Sequence, residues 1–131
     1  MRLFIDTDIL LDVLLNRRPH LEASGRVVDW AEENPGMAAV SWHGLANLHY
    51  LSKNGAEDFF EDLIGFAEIP QTGSEHMRQA LDLRFKDLED AMQVAAALLF
   101  NAQVIVTRNT RDFKASPIKA ITPEEALKSI C

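Results

Sequence analysis

Short apolar runs and longer amphipathic stretches alternate along the chain. The apolar runs predict β-strands, and Glu68–Pro70 predicts at most a minimal one. The four clearer strands are Arg2–Ile5, Met37–Val40, Val104–Thr107 and Ile118–Ile121. Between them, apolar residues recur at the 3.6-residue spacing of helices: Asp8–Leu15, His20–Asn34, Ser41 to about Lys53, Ala56–Ala67, Ser74–Phe85, Asp87–Asn101 and a short final helix. This alternation predicts an α/β fold with a parallel sheet covered on both faces.

Polar residues at the breaks predict how the helices start and stop. Ser41 is placed to cap its helix, and Asn54-Gly55 to end it. The run Thr122-Pro123-Glu124-Glu125 has the form of a capping box. Asp8 is predicted to cap the first helix, with Asp12 a solvated or paired side chain one turn later. Trp30 and Trp42 lie in apolar surroundings and are predicted to be in the core.

Composition narrows the class of protein. With 131 residues, 47% of them hydrophobic and 25% charged, the chain fits one globular domain over residues 1–131. No apolar run approaches a membrane span, and the apolar part of MRLFID is too short for a signal peptide. The single cysteine, Cys131, excludes disulfides and thiolate metal sites, so we expect a cytoplasmic protein. The net charge of −7 argues against broad nucleic-acid binding, but not against a site where metal ions bring positive charge.

Ligands of parallel sheets bind beyond the carboxyl ends of the strands, and several polar residues follow those ends here. Asp6 follows the first strand, and Asn47 lies on the helix after the second. The third strand leads into the loop Arg108–Phe113. On the sixth helix, Asp87 and Asp90 fall on or beside the apolar stripe, while Glu89 and Gln93 fall on the opposite side.

Three of these acids, Asp6, Asp90 and Asp112, are expected to meet at one edge of the sheet. Two carboxylates about 4 Å apart repel by roughly 4 kcal/mol at an effective dielectric constant near 20, so a cation is needed if all are to ionise. Since there is no cysteine cluster and no metal-like spacing of His43, His49 and His76, the expected ion is Mg²⁺ or Mn²⁺ rather than zinc. Such an ion activates water for attack on phosphorus.

Other polar residues have a functional and a plain interpretation. Thr107 and Asn109 are candidates for orienting ligands. Arg108, Arg111 and Lys114 are candidates for holding a phosphate backbone, or merely offset neighbouring acids. A basic cluster after the first helix either contacts substrate or only favours that helix's C-terminus: Arg17, Arg18 and His20.

Four stretches together resemble a known family: FIDTDILLDVLLN, KDLEDAMQVAAA, VIVTRNTRDF and IKAITPEEAL. In this order, they resemble the PIN domain, and within it the VapC-like toxins. The resemblance implies a three-layer α/β/α PIN-like sandwich around a short central parallel sheet. It implies an Mg²⁺- or Mn²⁺-dependent endoribonuclease that is inhibited by an antitoxin and is frequently a homodimer. Carried over by position, the catalytic and metal-binding acids are Asp6, Asp90 and Asp112, with Asp87 an additional acid.

Two positions depart from the family pattern. Many members carry Glu where this chain has Asn47, and Asp where it has Asn109. An amide oxygen can coordinate a metal but brings no charge, so we expect weaker metal binding than in a four-acid site. Two alternatives stay open. One is a degenerate PIN domain that binds protein or RNA without catalysis. The other is a haloacid-dehalogenase-like phosphatase that uses the DTD of residues 6–8.

Overall fold

Four short parallel strands form the centre of the molecule. The computed structural model describes residues 1–53 and 55–130, so Asn54, expected at a helix end, and Cys131 lie outside it. The strands are β1 (Leu3–Ile5), β2 (Ala38–Ala39), β3 (Val104–Val106) and β4 (Lys119–Ile121). They pair in the order β2-β1-β3-β4, and every pairing is parallel. The predicted parallel sheet is therefore confirmed.

The helices begin and end within a few residues of their predicted bounds. They are α1 (Thr7–Leu14), α2 (Leu21–Glu33), α3 (Trp42–Ser52), α4 (Glu57–Ile64), α5 (Ser74–Asp82), α6 (Leu88–Leu99) and α7 (Pro123–Ile130), with a 3₁₀ turn at Thr110–Phe113. Glu68 forms a single parallel bridge with Ala39, as expected of a minimal strand. No helix of the described ranges combines the length and apolarity needed to cross a membrane.

Side chains of the strands alternate between two cores, as the pleat of a strand requires. Leu3 and Ile5 point into a core built with α1, α2, α3, α4 and α7. Phe4 and Ile105 point the other way, into a core formed with α6, and α5 packs on the outside of α6. The strands thus lie between two helical layers, and the three-layer α/β/α sandwich is confirmed.

Helix capping was predicted correctly at Ser41 and Thr122 and wrongly at Asp8. Ser41 accepts a hydrogen bond from the Gly44 amide, Asp87 caps α6, and Thr122 forms the predicted capping box with Glu125. The cap of α1 is Asp6 and not Asp8, because the first helical residue is Thr7, two residues before the Ile9 that a cap at Asp8 requires.

Two burial predictions were also wrong. Trp42 is 71% exposed at the first position of α3, although Trp30 packs partly buried against the larger core as predicted. Gln93, placed by periodicity on the solvent side of α6, is only 2% exposed. A helix packed between the sheet and α5 has a wider buried face than its apolar residues alone indicate.

Candidate active site

Asp6 stands where the central strand β1 ends and α1 begins. Its carboxylate is 8% exposed and accepts three hydrogen bonds, each 2.8 Å long: from the Thr7 amide, Gln93 Nε2 and Thr107 Oγ1. All three donors are neutral. They fix the orientation of the carboxylate but bring no positive charge to it.

Gln93 links Asp6 to the start of α3. Its Oε1 accepts a hydrogen bond from Ser41 Oγ, while its Nε2 donates to Asp6. A Cβ on Gly44 would lie 2.6 Å from both Ser41 Oγ and Thr7 Oγ1, so α3 approaches α1 this closely only because position 44 lacks a side chain. Sequence reasoning missed Gln93, although its place one turn after Asp90 was a usable signal.

Asp8, expected to be only a helix cap, belongs to the same site. Its Oδ2 accepts hydrogen bonds from the Arg108 amide at 3.0 Å and from Asn109 Nδ2 at 3.2 Å. Its Oδ1 is buried and has no hydrogen-bond partner among the residues in view. Burial, followed by the charge of Asp6, raises the pKa of Asp8 to about 6.

Asp12 lies one turn after Asp8 on α1 and has a full set of partners. It is 0% exposed and receives Arg108 Nε at 2.8 Å, Arg108 Nη2 at 3.1 Å and Ser24 Oγ at 2.8 Å. Partial burial acts to lower the pKa of Arg108, but the hydrogen bonds and charge of Asp12 outweigh it, so that pKa is raised. Of the two environments predicted for Asp12, the paired one is confirmed. Because this guanidinium is held by Asp12, we retain only Arg111 and Lys114 as candidates for phosphate contact.

Asp6, Asp8 and Asp90 line one open cavity of about 340 Å³ at the carboxyl edge of the sheet. Asn47 and Asn109 also line it. Burial raises the pKa of Asp90 to about 7, helped by the charges of Asp87, Asp6 and Asp112. The carboxylates are therefore close enough to oppose one another's ionisation.

The remaining predicted residues are spread around this cavity. Asp112 is exposed on the 3₁₀ turn and lines a neighbouring depression with Asn109 and Arg111 instead. Asp87 is also exposed and accepts a hydrogen bond from the Glu89 amide at 2.9 Å. Thr107 is 0% exposed and supports Asp6 from beneath the cavity. Lys114, directly after the turn, is exposed.

A hard divalent cation fits the chemistry of these donors. Within residues 1–53 and 55–130, no three His, Cys, Asp or Glu side chains are arranged to hold one ion together. Mg²⁺, however, is usually bound by one or two carboxylates, with water and substrate phosphate completing its shell. Carboxylate and amide oxygens line the cavity, and the unpartnered Oδ1 of Asp8 lies on one of its lining residues. The cavity thus suits an ion that keeps part of its hydration.

Comparison with known proteins decides the family. A family model described as the PIN domain matches residues 2–111. The chain belongs to the PIN domain family. The DTD of residues 6–8 is therefore part of a PIN domain, and the haloacid-dehalogenase alternative is set aside. The family resemblance of the sequence motifs is confirmed.

Individual relatives of this PIN domain are distant in sequence and similar in length. It is 23% identical over 133 residues to Ribonuclease VapC1 of Aquifex aeolicus (strain VF5), covering 95% of this chain and 92% of that protein. It superposes with a TM-score of 0.67 on the crystal structure of VapBC2 from Rickettsia felis bound to a DNA fragment from their promoter, at 21% identity and over 93% and 98% of the two chains. A toxin-antitoxin complex from Klebsiella pneumoniae gives a TM-score of 0.60 at 25% identity, over 94% and 98%.

Proposed function

We propose that this PIN domain is an Mg²⁺- or Mn²⁺-dependent endoribonuclease and the toxin of a toxin–antitoxin pair. The observation that carries the proposal is the cavity lined by both Asp6 and Asp90, whose described lining residues include no basic side chain. Similarity to a protein named ribonuclease VapC1 supports RNA as the substrate. The acidic net charge of −7 fits a site that draws phosphate through a metal ion rather than through a basic surface.

The polar residues in and around the cavity divide into metal ligands, supporting residues and RNA contacts in this proposal. Asp6 and Asp90 would hold the ion, and Asp87 and Asp112 add to the negative field around Asp90. When bound, the ion supplies positive charge toward the scissile phosphate and makes water more acidic. Gln93 and Thr107 keep Asp6 in position. Arg111 and Lys114, both exposed, would contact the RNA backbone beside the cavity.

The partner in this proposal is an antitoxin, and a homodimer is the expected assembly. The likeness to a toxin-antitoxin complex from Klebsiella pneumoniae supports the antitoxin. On α3, Trp42, Tyr50 and Leu51 are 71%, 80% and 51% exposed, which favours a protein contact there. Tyr50 and Leu51 also line the acidic cavity, so a partner bound to α3 would cover it. Co-purification with the product of the adjacent upstream gene, and sedimentation of the isolated chain, test these two assignments.

RNA cleavage by purified protein tests the activity. Mixed RNAs are incubated with Mn²⁺ or Mg²⁺ and wild type, Asp6→Asn, Asp90→Asn or Asp29→Asn, the last an exposed aspartate of α2. We expect cleavage by wild type and Asp29→Asn, and a loss of about a hundredfold or more in the two site variants. Cleavage that survives in Asp90→Asn, or its absence in wild type, would contradict the proposal.

A second candidate is a PIN domain that binds RNA or protein without catalysis. It is favoured by the amide at position 47 and by the lack, in the described ranges, of three acids arranged around one point. The same assay separates it from the nuclease. A wild-type protein that binds no Mn²⁺ and cleaves no RNA, yet retains RNA or a partner, would support this second function.

A further inference from the structure

Asn47 and Glu89 approach each other across the acidic cavity from different helices. Asn47 lies on α3, and Glu89 lies in the first turn of α6, directly before Asp90. Asn47 Nδ2 donates a hydrogen bond of 2.8 Å to Glu89 Oε2, and both residues line the cavity. Helical periodicity places Glu89 on the solvent side of α6, but the approach of α3 brings it to the rim of the cavity.

Resting on the proposed function, we propose that Glu89 provides a further carboxylate to the divalent cation and that Asn47 holds this carboxylate in position. Position 47 on α3 lines the cavity with an amide, which brings no charge to it. An amide donates hydrogen bonds that a carboxylate cannot, and Asn47 uses one to hold a carboxylate from α6. The negative charge absent from α3 is thereby supplied from the facing helix.

The electrostatics of the cavity are consistent with this placement. Glu89 is among the charges that raise the pKa of Asp90, and it opposes the burial that lowers the pKa of His43. Its charge therefore acts on Asp90, another residue that lines the cavity. Its position in the first turn of α6 also suits an anion, because the N-terminus of a helix carries partial positive charge.

The contact contributes little to folding, which makes its role testable. Both side chains lie near the surface, and an exposed polar pair adds little to the free energy of unfolding. A change in metal affinity without a change in melting temperature is therefore the signature of Glu89 acting on the ion. If the contact had no role in metal binding, Glu89→Gln would change neither the metal affinity nor the melting temperature.

Calorimetric titration of Mn²⁺ into the metal-free protein measures this affinity. We expect Glu89→Gln to bind Mn²⁺ about tenfold more weakly than wild type. The double variant Asn47→Glu/Glu89→Gln returns the carboxylate to α3 and should recover most of that loss. Glu33→Gln is the matched control, since Glu33 is exposed at the end of α2 that leads into β2, at the opposite edge of the sheet.

The outcomes separate this inference from the proposed function. Equal affinity in Glu89→Gln and wild type, with binding lost in Asp90→Asn, would overturn the role of Glu89 and leave the metal site standing. Weak binding in Glu89→Gln that the double variant does not recover would overturn the exchange between helices. No binding of Mn²⁺ by wild type would overturn both.

Discussion

Two buried aspartates, Asp6 at the start of α1 and Asp12 within it, have partners of opposite kinds. Toward α2, Asp12 is 0% exposed and receives both a guanidinium and a hydroxyl, from Arg108 and Ser24. Toward α6, Asp6 is 8% exposed and receives only neutral donors. Asp90 has no side-chain hydrogen bond among those found in the described ranges, and the pKa of its carboxyl is raised to about 7.

This difference supports a structural role for Asp12 and the proposed metal-binding role for Asp6 and Asp90. A carboxylate taken out of water costs several kcal/mol unless a charge of opposite sign accompanies it. The chain supplies that charge to Asp12 itself, through Arg108. It orients Asp6 without neutralising it, and it leaves Asp90 among like charges. The second arrangement becomes favourable when a cation from solution enters, and a site that awaits a ligand has this character.

The largest effect on stability is expected from breaking the ion pair between Arg108 and Asp12. Arg108→Met leaves the buried Asp12 carboxylate with only the Ser24 hydroxyl and the more distant Arg17 Nε, 3.9 Å away, and should lower the free energy of unfolding by about 3 kcal/mol. Arg111→Met, on the exposed 3₁₀ turn beside it, should change it by less than about 0.5 kcal/mol. Denaturant unfolding measures both. Equal losses in the two variants would remove the distinction, and the double variant Asp12→Leu/Arg108→Met should recover most of the loss.

A smaller loss of stability is expected from removing Gln93, which orients Asp6. Gln93→Leu removes the donor to Asp6 Oδ1 and the acceptor for Ser41, and should cost about 2 kcal/mol because buried polar atoms lose partners. Gln79→Leu, on the exposed surface of α5, is the control and should be near neutral. The free energies come from the same unfolding experiment. A neutral Gln93→Leu would mean that Asp6 needs no support.

The smallest effect concerns pH in the metal-free protein. The pKa of Asp90 is raised from 3.8 to about 7, so between these values the folded state binds more protons than the unfolded state. Stability therefore falls as pH rises through this window. Asp90→Asn should match wild type below about pH 4. Above about pH 7 it should exceed wild type by about 1 kcal/mol, a value discounted because the carboxyl is partly exposed.

Unfolding of wild type, Asp90→Asn and Asp29→Asn across this pH range provides the check. The Asp29→Asn control should follow wild type at every pH. Parallel curves for wild type and Asp90→Asn would contradict the raised pKa of Asp90.

Local patterns were enough to predict the fold. Apolar runs such as Val104–Val106 and breaks such as Asn34-Pro35-Gly36 act within a few residues, and the strands and helices follow them. The strand alternation then placed Asp6 at the carboxyl edge, and the first turn of α6 placed Asp90 beside it. These two site positions depend on secondary structure and sheet order alone.

Long-range contacts explain what could not be predicted. Arg108 and Asp12 are 96 positions apart. Arg108 binds Asp12 and is not free for a phosphate because the end of β3 lies beside α1, which the sequence does not reveal. Gln93 is buried because Ser41 and Asp6 both reach it, which no periodicity reveals. Asp8 was misassigned because α1 begins at Thr7, two residues before the start that a cap at Asp8 requires. Trp42 was misassigned because the first position of α3 is exposed.

Thermal unfolding with and without Mn²⁺ tests most directly whether the cavity lined by Asp6 and Asp90 is the metal site. A ligand that binds only the folded state raises the melting temperature in proportion to its affinity and concentration. We predict that Mn²⁺ raises the melting temperature of wild type, Asp29→Asn and Arg108→Met, and leaves that of Asp90→Asn unchanged. An equal rise in Asp90→Asn, or no rise in wild type, would contradict the account.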